Sequence, residues 1–268
     1  MLTDATGAAL EVGRPPRRIV SLIPSTTETL CALGLADALV GVTVYCREPA
    51  EVVRGKTRIG GEKDPDLDTI RALAPDLVVA NVEENRREDI ERLRAWAIPV
   101  WVTYPRTVAD AIRMIRELGE VTGTGARATA LADGLDELYG RAQRDAAARP
   151  PVRVFYPIWR DPYMTINHDT YIHDMLRVCG GANVFADRAE RYPTVTLDEM
   201  AGREPQVIVL PDEPFRFRRA HLADFAPYAA VPAVRDARIH LVDGKPFSWH
   251  GPRIGDALRT LPAILGTP

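Results

Sequence analysis

The chain has 268 residues, 46% of them hydrophobic and 26% charged, with 34 basic against 37 acidic residues and a formal net charge of −3. That length accommodates two domains of ~100–200 residues each. Such a charge balance lacks the basic excess that neutralises phosphates, which excludes a nucleic-acid binder, and the longest apolar runs fall far short of the roughly 18 residues that span a bilayer.

The first 16 residues contain two acids and no apolar core of the signal-peptide kind, so the chain as given reads as lacking a leader. Residues 4–12 read as a small hairpin around Gly7. Residues 18–23 (Arg-Ile-Val-Ser-Leu-Ile) form a buried strand, followed by Pro24-Ser25-Thr26-Thr27-Glu28. Ser25 or Thr26 is expected to cap a helix running to Leu33 and stopped by Gly34. Further strands are expected over 40–44, 77–80 and 100–103, with an amphipathic helix over 86–97. Apolar strands alternating with helices signal a parallel sheet covered on both faces.

A helix over 108–121 presents Ile112, Ile115 and Leu118 on one face, and the break Gly123-Thr124-Gly125 separates it from a polar-sided helix over 126–149. At ~1.5 Å per residue the second helix is about 36 Å long, a rigid spacer midway along the chain. The scheme then repeats, with strands over 152–156, 207–210 and 239–242, a helix over 171–179 stopped by Gly180-Gly181, and a closing helix over 253–265. Cys31, Cys46 and Cys179 have no metal-type spacing; Cys31 and Cys179 read as small buried hydrophobes.

One stretch occurs twice. The segment from Leu67 to Val79 (LDTIRALAPDLVV) returns in outline from Leu197 to Val209 (LDEMAGREPQVIV). Asp198 follows Asp68, and Pro205 follows Pro75, at the same separation of 130 residues (198 − 68). Each copy reads as an acidic N-cap, a two-turn helix, a proline that stops it, and a buried aliphatic strand. Two copies this far apart imply two similar lobes with a cleft between them. The expected architecture is α/β, with an N-terminal lobe over 1–122, a linking helix over 123–149 and a C-terminal lobe over 150–268.

On these residues the chain resembles the helix-linked substrate-binding proteins of ABC importers, the group that carries cobalamin, haem and iron-siderophores. Residues 18–28 are similar to that family's opening strand and loop, and 73–78 (LAPDLV) to its first-lobe signature. Residues 179–185 (CGGANVF) and Trp249-His250-Gly251-Pro252-Arg253 resemble its second-lobe segments. Within the family the cobalamin-binding branch is nearest.

The resemblance implies capture of a metal chelate, cobalamin or a related corrinoid, and its delivery to a membrane permease, with no chemistry and no resident cofactor. It also implies a monomer in the periplasm or cell envelope. Haem or an iron-siderophore is the alternative cargo; a cytoplasmic corrinoid sensor or chaperone on the same fold is the alternative of another class. An enzyme finds no support, because the sequence has no nucleophile elbow, phosphate loop or His-x-x-x-His pair.

Parallel α/β sheets place ligands beyond the C-terminal ends of their strands, and flat chelates call for aromatic faces there. Tyr45 stands where the cobalamin-binding relatives carry a pocket tyrosine, and Trp249 matches their second-lobe pocket tryptophan. Trp159 and Tyr163 lie in the loop after the 152–156 strand. Pro24 and Ser25 meet the ligand through a helix N-terminus or serve as an ordinary cap. Asn81 replaces an aromatic pocket residue of those relatives, whereas Trp96 and Trp101 read as core. Axial donors for a chelated metal are sought among His168, His173, His250 and Tyr163, with His250 best placed, and no protein-held metal is expected. Asp68 and Asp198, at the expected N-caps, occupy the positions at which the family's acidic residues dock onto permease arginines. Relatives pair a cysteine at the Cys179 position with one in the closing helix; that helix has none here, so Cys179 is expected to stay unpaired within that scheme.

Overall fold

The computed structural model describes residues 1–11 and 13–266, and the chain divides into two compact units. The first comprises 1–105, 109–134 and 249–252. It opens with a hairpin of β1 (Leu2–Thr3) and β2 (Ala9–Leu10), with Leu2 opposite Leu10. The turn is organised by Asp4, whose Oδ1 accepts from the Thr6 and Ala8 amides while its Oδ2 accepts from Arg94 and from the Val102 amide. Val12, the last residue of the expected hairpin, lies outside the described residues.

Next come β3 (Ile19–Ser21), α1 (Pro24–Ala32), β4 (Leu39–Val42), α2 (Ala50–Val53), β5 (Thr57–Arg58), α3 (Leu67–Ala72), β6 (Leu77–Asn81), α4 (Arg87–Ala95) and β7 (Val100–Thr103). All five strands from β3 to β7 run parallel, in the order β5-β4-β3-β6-β7. The strands are near-continuous aliphatic runs because helices cover both faces. Val20, Leu22, Val78, Ala80 and Val102 pack with Ile70, Ile90 and Leu93 of the helices. Each such branched side chain contributes about 1.5–3 kcal/mol on burial.

Two helices follow: α5 (Val108–Thr122) and the 23-residue α6 (Gly125–Ala147), about 34 Å long at ~1.5 Å per residue. They pack closely at Gly119, where an added Cβ would come within 2.3 Å of the Ala128 Cβ. The long helix belongs to both units, its residues up to Gly134 clustering with the first and those from Leu135 with the second.

The second unit comprises 106–108, 135–248 and 253–268, of which 267–268 lie outside the described residues. It contains β8 (Val152–Phe155), α7 (Tyr171–Val178), β9 (Gly181–Asn183), α8 (Leu197–Gly202) and β10 (Val207–Pro211). Then follow 3₁₀ turns over Arg219–Tyr228, α9 (Pro232–Arg235), β11 (Ile239–Val242), α10 (Lys245–Ser248) and α11 (Ile254–Leu265). Its four strands are parallel in the order β11-β10-β8-β9, over a core of Phe155, Phe185, Met200, Ile208, Leu210 and Phe225.

The sequence repeat is a structural repeat. In each copy a helix ends two residues before a left-handed position, Ala74 (φ 44°) or Glu204 (φ 49°), and a buried proline leads into the strand. The same clamp locks both. Asp76 N donates to Arg18 O while the Asp76 carboxylate accepts from the Arg18 amide, and the Arg18 guanidinium reaches Leu73 O. In the second copy Gln206 N donates to Arg153 O, Gln206 Oε1 accepts from the Arg153 amide, and Arg153 Nε reaches Glu204 O. An arginine at the foot of each unit's first major strand thus closes the turn.

Two details differ from the sequence reading. The α3 cap is Asp66, whose carboxylate accepts from the Thr69 amide at 2.9 Å, and the α8 cap is Thr196, in a reciprocal pair with Glu199. Asp68 and Asp198 sit two residues further in, because a capping side chain must precede the helical backbone to reach back onto its free amides. Nor do Ser25 or Thr26 cap α1. Its N-cap is Ile23, with no side-chain cap, and Pro24 is its first residue, where a missing N–H is tolerated.

Candidate functional site: the strand C-termini

Exposed large apolar side chains are few, and most of them follow strands. Val44 and Tyr45 follow β4, Val82 follows β6 and Trp159 lies in the loop after β8. Tyr45 is 55% and Trp159 43% exposed, although burying such a ring is worth more than burying most other side chains. Scattered exposed apolars need no explanation, but Val44, Tyr45 and Val82 all follow strands of the first unit's sheet, and Trp159 follows a strand of the second unit's sheet.

In the first unit the supporting loops are fixed by polar residues underneath. Asn81 is buried; its Oδ1 accepts from Glu83 N and its Nδ2 donates to Thr103 Oγ1. Asn85 accepts from Asn81 N and donates to Glu62 O, tying the loop after β6 to the loop after β5. Asn81 therefore shapes the edge from below, its amide spent inside the fold. Beside Tyr45 runs Gly61, where an added Cβ would lie 3.4 Å from the ring's Cε2. Pro24 and Ser25, both half-buried, form the first turn of α1.

Trp249-His250-Gly251-Pro252 cluster with the first unit, although the resemblance placed them in the second lobe. Gly251 explains this. Its φ of 131° favours glycine, and an added Cβ would come within 2.1 Å of Thr29 Oγ1 on α1. Thr29 Oγ1 lies 2.8 Å from Ser25 O and 3.2 Å from His250 O, so α1 and this segment meet backbone to side chain. Trp249 and His250 are half-buried, and desolvation lowers His250 to about 4, keeping its imidazole neutral at neutral pH.

In the second unit Trp159 stands edge-on to Phe215 at 5.6 Å between ring centroids, Phe215 to Phe217 at 4.8 Å, and Phe217 stacks on Tyr163 at 6.2 Å. Tyr163 is the inner end of this row and belongs to the core. Its hydroxyl donates to Asp224 Oδ2 at 2.7 Å, and Asp224 is also held by the Arg160 guanidinium through bonds of 2.6 and 3.1 Å. Burial first, then the Asp224 hydrogen bond, push the Tyr163 phenol well above its ordinary range. Tyr163, a candidate donor in the sequence, thus packs in the core with its hydroxyl engaged by Asp224.

The histidines behave similarly. His168 is exposed, its Nδ1 2.9 Å from Ala186 O. His173, on α7, is lowered by desolvation. Among the described residues no group of three or more His, Cys, Asp and Glu is placed to hold a metal. Cys31, Cys46 and Cys179 are free thiols; burial raises Cys179 to about 12 and Cys31 to about 11.

Sequence reasoning missed a cavity of about 620 Å³ beyond the ends of β10 and β11, lined by Asp212, Arg216, Phe217, Arg218, Asp243 and Lys245 among others. The local signal was the Phe215-Arg216-Phe217-Arg218 alternation, which three residues separate from the end of a buried strand. Asp68 and Asp198 are exposed on their helices, each two residues past its cap, and Asp198 Oδ1 accepts from Tyr228 at 2.7 Å.

Two parallel-sheet units joined by one long helix, with apolar side chains gathered at strand C-termini, define a two-lobed α/β binding-protein fold. The chain belongs to the periplasmic binding protein family, whose model matches residues 19–246. It is similar to a vitamin B12-binding protein of Vibrio parahaemolyticus, 28% identical over 194 residues that cover 72% of this chain and 70% of the relative. Among solved structures it resembles the periplasmic vitamin B12 binding protein BtuF of Vibrio cholerae, with a TM-score of 0.84 and 24% identity over 94% of this chain and 97% of that one. The periplasmic heme-binding protein RhuT of Roseiflexus sp. RS-1 is similar at a TM-score of 0.82 and 25% identity, covering 93% and 97%.

Proposed function

We propose that this protein captures cobalamin or a related corrinoid in the periplasm and delivers it to an ABC permease. The observation that carries this reading is the set of exposed apolar side chains after strand ends, Val44, Tyr45 and Val82 in the first unit, where Asn85 ties the loops after β5 and β6 together, and Trp159 in the second. Their area and flatness suit the face of a macrocycle. The names carried by relatives of comparable length supply the cargo class. Tyr45, Trp159 and Trp249 are assigned to contact the macrocycle, with Pro24, Ser25 and His250 around its edge. The chelated metal travels as cargo, and the Tyr163 hydroxyl is engaged by Asp224. Asp68 and Asp198, exposed and relieved of capping, are assigned to dock onto permease cations.

A second reading, haem as cargo, draws on the structural likeness to heme-binding RhuT. Uptake separates the two. Cells that supply a partner permease but lack their own binding protein should accumulate labelled cyanocobalamin only when this chain is secreted. Accumulation of haem and not of cyanocobalamin would move the assignment to the second reading.

A further inference from the structure

The cavity beyond β10 and β11 is distinct from the apolar surface just described in one respect: it is cationic. Arg216, Arg218 and Lys245 face it against Asp212 and Asp243. Both carboxylates are engaged by the loop that builds the wall. Asp212 Oδ1 accepts from Gly244 N at 2.9 Å, and Asp243 Oδ1 accepts from Lys245 N at 3.1 Å, with Lys245 Nζ at 3.4 Å. The two guanidiniums are exposed and have no ion-pair partner among the described residues. Other arginines of this unit do have carboxylate partners, Arg160 in Asp224 and Arg203 in Asp187.

The wall between the guanidiniums is Phe217, the third ring of the row that begins at exposed Trp159. A second buried group points the same way. Phe155 pairs with Ile208 across the parallel ladder, which puts Tyr156 at the end of β8 beside Val209 and the strand end that opens into the cavity. Tyr156 is fully buried and its hydroxyl has no hydrogen-bond partner among the described residues. Burial first, then the carboxylates of Asp212, Glu213 and Asp243, hold it protonated; Tyr156 lies behind the residues that line the cavity and is not one of them.

We infer that this cavity binds an anionic substituent of the transported chelate, a carboxylate or a phosphodiester, with Arg216 and Arg218 as its partners. Guanidinium forks match the planar oxygens of such groups, and the row from Trp159 to Phe217 carries the apolar body from which the anion projects. The inference rests on the transport reading above and narrows its cargo to chelates bearing a negative group. A ligand with only neutral amides at its periphery would leave the arginines unmatched.

The test uses the full chain and calorimetric titration with three probes: cyanocobalamin, which carries a phosphodiester; dicyanocobinamide, which lacks it; and haemin, which carries carboxylates. The variant is R216Q/R218Q, with R216K/R218K as the charge-retaining control. Both positions are exposed, so melting temperature should not move. Cyanocobalamin binding more tightly than dicyanocobinamide, with the advantage lost in R216Q/R218Q through at least a tenfold rise in Kd (about 1.4 kcal/mol), would identify the phosphodiester. The same loss for haemin would identify carboxylates. Wild type and R216Q/R218Q binding cyanocobalamin equally and haemin equally would overturn the inference and leave the transport reading intact. Wild type binding none of the three would overturn both.

Discussion

Asp66 and Asp68 lie on one turn of the same short helix and differ in what they touch, so exchanging them separates stability from docking. The Asp66 carboxylate accepts from Thr69 N at 2.9 Å and from Thr69 Oγ1 at 2.6 Å. Removing such a cap costs about 0.5–2 kcal/mol, and at ~2–4 °C per kcal/mol for a chain of this size, Asp66→Ala should lower Tm by roughly 1–8 °C. Asp68 makes no capping bond and offers the helix only a favourable charge near its N-terminus, about 0.3–1 kcal/mol. Asp68→Asn should therefore stay within about 4 °C of the parent. In proteoliposomes carrying a partner permease, Asp66→Ala should still stimulate ATP hydrolysis at saturating concentration. D68N/D198N should not, while binding ligand normally. Equal destabilisation by Asp66→Ala and Asp68→Asn would refute the assignment of the cap, and full stimulation by D68N/D198N would refute docking.

Other outcomes follow from particular contacts. Gly251→Ala forces a side chain onto Thr29 Oγ1 at a φ of 131°; strain of ~1–3 kcal/mol should appear as a lower Tm, and an unchanged Tm would show that α1 moves freely. Tyr45→Ala and Trp159→Ala remove exposed rings, so each should weaken corrinoid binding at least tenfold, about 1.4 kcal/mol, with melting unchanged; loss of stability instead would make them core. Asp224→Ala leaves the partly buried Tyr163 hydroxyl without its acceptor while Arg160 keeps Asp161 and should cost about 1–3 kcal/mol, read by urea denaturation. For pH, His250 is held near 4 in the folded protein against 6.5 when unfolded. The unfolded chain therefore binds more protons between those values, and stability should fall as pH drops from about 6.5 to 4. His173 and His240 are lowered by desolvation too, so His250→Gln should flatten this slope without abolishing it; an unaltered slope would place the imidazole in water.

The fold was legible wherever a pattern was local or repeated. Aliphatic runs such as 77–80 became buried strands, and Pro75 and Pro205 marked the same turn twice. The left-handed Ala74 and Glu204 were not legible, since neither residue type advertises that conformation. Strands β5 and β9 have two and three residues, too few to show a period. The caps slipped by two residues because acidic or hydroxyl residues stand at both 66 and 68, and at 196 and 198, and only backbone geometry chooses between them.

Tyr45, expected from the resemblance to face a ligand, and Trp159, expected from its loop, are both exposed after strands. Tyr163 looked equivalent, but Asp224, 61 residues away, draws it into the core. The cavity with Arg216 and Lys245 joins the ends of β10 and β11, and no local pattern reports which loops meet there. Asn81 has the right position and the wrong orientation: its amide closes the loop beneath the surface.

The most direct measurement is a calorimetric titration of the purified chain with cyanocobalamin. The account predicts one-to-one binding with a submicromolar Kd, about −8 kcal/mol or stronger. No heat at tens of micromolar ligand would contradict it.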